Sequence, residues 1–222
     1  MTSPFLCRES ACPPVRLTGW ALLLSLGLAG CFPHAPGPRL QHFSEVVPAP
    51  GEEAPSLELV DLEGKPVMLE DHLGQRPVVL QLGSVSCPVF RYRRFGIEDL
   101  VRDLGDRVTF LVVYTREAHP VGSPSPYTGE EWDLWINRLT RVRVADTRST
   151  EERRARAAAT GERLDLSPTV LVDPSGDPGW RAFGRAPSAA FVLDPTGRVV
   201  ARQAWVDPQE LRGVLEGLLE GE

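Results

Sequence analysis

The sequence predicts an α/β fold, a central mixed sheet flanked by helices with a β-hairpin at its N-terminal side. Three observations predict it. Two short apolar runs rich in β-branched residues, 77–82 and 108–114, bracket a segment of helical spacing, the strand–helix–strand order of a right-handed parallel crossover. A later pair of runs, 189–193 and 198–204, flanks Asp194-Pro195-Thr196-Gly197, whose residue types make a hairpin turn. The chain then closes on an amphipathic helix opened by the cap Asp207-Pro208-Gln209-Glu210, with Leu211, Val214, Leu215 and Leu218 on one face.

Each element follows from its local pattern. Residues 57–62 alternate in polarity, Glu63-Gly64-Lys65 is a turn, and 66–69 returns as the hairpin partner. The buried strand 77–82 is followed by the turn Gly83-Ser84-Val85-Ser86. Cys87-Pro88 then opens a helix running to residue 104, with Ile97, Leu100, Val101 and Leu104 as apolar positions. Proline suits the first helical turn because the N–H it lacks would have no partner there. A strand at 108–114, a helix at 150–163, a strand at 169–172 and a short helix at 179–183 precede the final hairpin and helix. This order is thioredoxin-like, and Pro187 stands where that fold keeps a cis-proline beside its active cysteine.

Composition narrows the function. In 222 residues, 42% are hydrophobic, enough to build a core, and the net charge of −6 argues against a nucleic-acid partner. The four cysteines, at 7, 12, 31 and 87, are too few and too uneven for a disulfide framework or a zinc site. No phosphate loop, Ser-His-Asp order or metal-ligand cluster is present in the sequence, so no metal or bound cofactor is expected.

The N-terminal segment reads as an address. A mildly basic start precedes an uncharged apolar run at 17–30, shorter than the roughly 20 residues that span a bilayer. It ends in Leu28-Ala29-Gly30-Cys31, which resembles the lipobox of bacterial lipoproteins, so Cys31 is the expected lipidation site. The expected organisation is a signal peptide over 1–31, a Pro-rich tether over 32–55 and the folded domain over 56–222. The expected location is the periplasmic or other extracytoplasmic face of a membrane, held there by lipid.

That leaves Cys87 as the one cysteine of the folded region. It falls where a buried strand meets a helix, and free N–H groups and the dipole at a helix start favour a thiolate, the nucleophilic form. The residues around it resemble the iodothyronine deiodinases. The resemblance lies in two blocks, Gly83-Ser84-Val85-Ser86-Cys87-Pro88-Val89-Phe90 and Tyr114-Thr115-Arg116-Glu117-Ala118-His119, and runs from about residue 75 to the C-terminus. It implies that Cys87 takes the place of the family's selenocysteine, with Ser86 at the neighbouring threonine. It further implies that Tyr114, Glu117 and His119 bind substrate and supply protons, with Glu117 and His119 as catalytic candidates beside Cys87. Ser84, Ser86, Tyr114 and Pro187 are then substrate-binding or supporting residues.

The sequence departs from the family in several places. Val85 and Phe90 occupy positions where a second thiol could resolve an oxidised Cys87, no histidine follows His119, and Ala189 replaces an arginine. An outside reductant, a thioredoxin-like protein or a small thiol, is therefore expected to regenerate Cys87 after it attacks a small-molecule electrophile such as a carbon-bound halogen. Two alternatives stand beside this one. Ser84, three residues before Cys87, fits a one-cysteine peroxidase, and a non-catalytic binding module of the same fold is the third reading. Deiodinases pair their chains, which leaves a homodimer open.

Overall fold

All six residues of Val78–Gly83 are buried, as befits a strand covered on both faces and both edges. The computed structural model describes residues 43–221 and arranges the rest of the chain around that strand. Its elements in chain order are the one-turn helix α1 (Phe43–Val46), β1 (Glu58–Val60), β2 (Pro66–Met68), β3 (Val78–Gly83), α2 (Pro88–Leu104), β4 (Thr109–Tyr114), α3 (Trp135–Leu139), α4 (Thr150–Leu164), β5 (Thr169–Val172), α5 (Pro178–Ala182), β6 (Ala190–Leu193), β7 (Val199–Gln203) and α6 (Pro208–Glu220). Among the described residues the strands form one mixed sheet in the order β2-β1-β5-β4-β3-β6-β7.

The three middle strands β3, β4 and β5 are parallel, and the two hairpins join antiparallel at the flanks. Alternation sorts the side chains between the two faces of the sheet. Leu80, Leu82, Leu111, Val113 and Phe191 pack with Phe183 in one apolar cluster. Val79, Phe110 and Val192 pack on the other face against Ile97 and Leu100 of α2 and Leu211 and Leu215 of α6. A 13-residue helix such as α6 is marginal in isolation. Burial of each leucine contributes about 1.5–3 kcal/mol, so the packed face holds it. Its cap is the expected one, with Asp207 Oδ1 accepting from the N–H groups of Gln209 at 3.0 Å and Glu210 at 3.2 Å.

Three expectations are corrected. Packing reaches back at least as far as Phe43, inside the expected tether over 32–55: Phe43 and Val47 are buried, and Glu53 bridges Arg198. They settle over Gly184, where a Cβ would collide with both side chains, so an apolar pair overrides the extended habit of the prolines around it. The expected signal peptide, Cys31 and tether residues 32–42 lie outside the described residues. The Ala186–Pro187 bond is trans, as are all peptide bonds among the described residues, so the expected cis-proline is not there. Trans is the lower-energy isomer by about 0.5–1 kcal/mol, and the flanking bonds Leu82 N to Ala189 O (2.9 Å) and Val206 N to Ser188 O (2.8 Å) accommodate it. Finally, the charge run Glu151-Glu152-Arg153-Arg154 predicts a solvated helix face, but Arg153 is buried and pairs with Asp177 at 2.8 Å.

Candidate active site

The parallel strands β3, β4 and β5 deliver their carboxyl ends to one edge of the sheet, where α/β proteins build sites. Gly83 ends β3 because the ring of Phe90 lies where its Cβ would be. That close approach seats the first turn of α2 directly over the strand end. Cys87 is the N-cap residue of α2, with φ −80° and ψ 112°, and Pro88 follows at the first helical position. The amides of Val89 and Phe90 hydrogen-bond the sulfur, the helix-start geometry expected from the sequence.

A single hydrogen-bonded array joins this loop to the end of β4. Tyr114 accepts from Val85 N at 3.1 Å and donates to Glu117 Oε1 at 2.6 Å, while Glu117 Oε2 accepts from Ser86 N at 3.1 Å. Ser84 Oγ accepts from Ala118 N at 3.1 Å, and Ser86 Oγ accepts from His119 N at 3.0 Å. The two sequence blocks are thus stitched together by side chains of each bonded to backbone of the other. Glu117 is 1% exposed. A buried carboxylate needs paired donors, and the Tyr114 hydroxyl, the Ser86 amide and Arg156 at 3.5 Å supply them. Desolvation first, and the Glu117 charge second, hold the Tyr114 hydroxyl well above its ordinary pKa, so it stays a donor.

The structure therefore brings Ser84, Ser86, Tyr114, Glu117 and His119 into the surroundings of Cys87. Antiparallel pairing with β3 puts Pro187 beyond the strand's carboxyl end, buried but with no side-chain hydrogen-bonding capacity to offer.

Two electrostatic expectations change. Cys87 is 1% exposed, and burial pushes its thiol up to about 11, outweighing the Val89 and Phe90 amides and the charge of Arg91 that favour the anion. In this closed arrangement the sulfur is a protonated thiol. His119 is lowered by burial to about 4, against the bond its ring makes to the Trp132 backbone, so its imidazole is neutral at pH 7. Nδ1 is buried without a hydrogen-bond partner, and the Trp132 ring meets the imidazole edge-on at 4.4 Å.

A group that charges in the unfolded chain but not in the folded one gives stability that is present above pH 6.5 and lost as pH falls from there to about 4. Each tenfold difference in proton affinity between the two states is worth about 1.4 kcal/mol, so His119 contributes about 3 kcal/mol of acid sensitivity. His119→Gln is expected to flatten the fall in urea midpoint between pH 6.5 and 4. An acid slope equal to that of the parent would show that the imidazole is not held neutral.

Several residues around the sulfur carry no sequence signal. Tyr127, from the Pro/Ser-rich segment after His119, packs with Trp180, Phe90 and Cys87 in one buried cluster. Its hydroxyl accepts from Trp180 Nε1 at 3.0 Å. Trp180 is fixed in turn by Asp173 at the end of β5, whose carboxylate accepts from the N–H groups of Gly179 at 2.8 Å and Trp180 at 2.9 Å. Burial raises Asp173 to about 6 even so. Trp135, an aromatic residue whose place on a helix after the Pro/Ser-rich segment predicts core packing, is 57% exposed, because α3 turns Asn137 inward instead.

Comparison with known proteins agrees with this geometry. The family model for iodothyronine deiodinase matches residues 4–218. The chain is 29% identical over 171 residues to a type I iodothyronine deiodinase of Xenopus laevis, a match covering 75% of this chain and 62% of the frog protein. It is 31% identical over 138 residues to a thyroxine 5-deiodinase of Ovis aries, covering 60% and 46% respectively. The chain thus spans less than two thirds of the length of these curated relatives. Among solved structures, an uncharacterized conserved protein from Geobacillus kaustophilus superposes with a TM-score of 0.57 at 17% identity, covering 78% of this chain and 84% of that one. A thiol-disulfide oxidoreductase from Bacteroides fragilis gives 0.51 at 14% identity, covering 75% and 99%. These last two likenesses establish the fold, which is thioredoxin-like.

Proposed function

The chain belongs to the iodothyronine deiodinase family, and from that premise we propose that it is a thiol-dependent oxidoreductase whose Cys87 attacks a carbon-bound halogen. The observation that carries this reading is the array itself. The one cysteine among the described residues caps a helix, and Ser84, Ser86, Tyr114, Glu117 and His119 are hydrogen-bonded around the loop that bears it.

In the reaction, the Cys87 thiolate bonds to iodine as the carbon–iodine bond breaks, and the carbon takes a proton. The products are the dehalogenated molecule and a sulfenyl iodide on Cys87. The thiol proton leaves to solvent, and His119, with Nδ1 unengaged, is placed beside this loop to relay a proton to carbon. The Tyr114–Glu117 pair keeps the loop fixed meanwhile. An outside thiol displaces iodide to give a mixed disulfide, and a second outside thiol releases Cys87, so two thiols become one disulfide per turnover. Either a thioredoxin-like protein or a small thiol fits this role.

Full-length protein incubated with an iodinated phenol and dithiothreitol is expected to release several equivalents of iodide per chain. No iodide together with rapid consumption of hydrogen peroxide would replace this reading with the peroxidase one.

The membrane reading rests on the sequence pattern alone. We place the domain on the extracytoplasmic side, tethered through lipid on Cys31. Cys31→Ser should move the protein from the membrane pellet to the supernatant, and an unchanged pellet would point to another anchor.

A further inference from the structure

Between the last sheet bond of β3 and the first helical bond of α2 lie Val85 and Ser86, whose four backbone polar groups belong to neither ladder. In a buried loop such groups need side-chain partners. Their N–H groups go to Tyr114 and Glu117, as described above. Their carbonyls are held from the opposite side by two residues outside the family blocks. Arg91 Nη1 donates to Val85 O, and Asn137 Nδ2 donates to Ser86 O at 2.8 Å. The two holders are themselves joined, Arg91 Nη2 donating to Asn137 Oδ1 at 2.9 Å and to Thr140 Oγ1 at 3.3 Å.

Both residues are placed for this task. Arg91 lies four residues after Cys87 on α2 and so shares its side of the helix. Asn137 is 2% exposed, while Trp135 and Leu139 of the same short helix are 57% and 70% exposed. The packing of α3 thus turns its amide inward and its large apolar side chains out. Of the charged groups facing the sulfur, Arg91 favours the anion and Glu117 opposes it.

We propose that Arg91 and Asn137 are positioning residues that clamp the cysteine loop from its carbonyl side, with the Arg91 guanidinium as the fixed cation facing the sulfur when it becomes an anion. The proposal rests on Cys87 being the nucleophile. A planar guanidinium reaches Val85 O and Asn137 Oδ1 at once, whereas a lysine ammonium supplies the charge without the fork. Arg91→Lys therefore separates the two parts of the role.

The test uses the full-length chain with two readouts. One is amide hydrogen exchange in the 84–87 loop. The other is the pH midpoint of Cys87 alkylation by iodoacetamide, followed by mass spectrometry on the peptide that contains it. Arg91→Met and Asn137→Leu are each expected to speed loop exchange at least about tenfold, and the double variant no further, since one linked clamp is lost either way. Arg91→Met should also move the alkylation midpoint to higher pH, and Arg91→Lys should restore that midpoint while leaving exchange fast. Unchanged loop exchange, an unmoved midpoint in Arg91→Met, or faster exchange spread over the whole sheet each overturns the proposal. A parent thiol that never alkylates in the native chain would instead refute the nucleophile reading, and exchange would still decide the clamp.

Discussion

Cys87→Ser is expected to abolish iodide release, at least about 10³-fold below the parent, because a serine hydroxyl is neither soft nor ionised near neutral pH. The variant must be shown to be folded. Replacing a thiol that is 1% exposed by a hydroxyl leaves a more polar group in an apolar cluster with Phe90, Tyr127 and Trp180, a change of about 1–3 kcal/mol. Cys87→Ala avoids that penalty and serves as the control. If either variant, with an unaltered denaturation midpoint, still turned over the iodinated phenol, the sulfur would not be the attacking atom. Peroxide consumption by the same two proteins separates the remaining alternatives. Loss of both activities is expected of a reactive thiol, while the parent's ratio of iodide release to peroxide consumption shows which electrophile the site prefers.

The placement of Cys87 was legible because two strong local patterns bracket it, a β-branched run before and a Pro-initiated helix after. Tyr114, Glu117 and His119 were singled out by the resemblance to the deiodinase blocks, and they meet the cysteine loop because β4 ends at Tyr114 and the next turn brings its residues back over the loop after β3. What sequence reading missed arrives by tertiary closure. Tyr127 and Asn137 come from a stretch with no periodicity, and nothing local distinguishes them from surface residues. Arg91 carried a faint signal, its four-residue spacing from Cys87 on one helix. The thiol's protonation was misjudged on a similar ground. The helix start is a local feature and was read correctly, but desolvation depends on everything that covers the sulfur, and here it outweighs the dipole. Residues 43–55 show the converse case, in which proline content hid two apolar side chains with a specific seat.

The second large effect concerns how a thiol so covered becomes reactive. With its pKa raised to about 11, only about one Cys87 in several thousand is ionised at pH 7.5 while the site is closed. Iodoacetamide should therefore alkylate native Cys87 about 10²–10³-fold more slowly than an exposed cysteine. Tyr127 is part of the cover, held by its packing, by the bond from Trp180 Nε1 at 3.0 Å and by its own N–H to Ser125 Oγ at 3.3 Å, Ser125 Oγ donating in turn to Ala118 O at 2.7 Å. Tyr127→Ala removes a ring from the buried cluster around the sulfur without touching the loop that carries it. Water then solvates the anion, the Val89 and Phe90 amides and Arg91 act on it unopposed by burial, and alkylation at pH 7.5 should accelerate at least about tenfold. Lost packing will lower stability by about 3–5 kcal/mol, so the rate must be read below the unfolding transition. An alkylation rate unchanged by Tyr127→Ala would mean that the barrier lies elsewhere, in Phe90 or Trp180. An accelerated rate accompanied by weaker turnover of the iodinated phenol would make the same ring both the cover of the thiol and part of the surface against which its substrate is held.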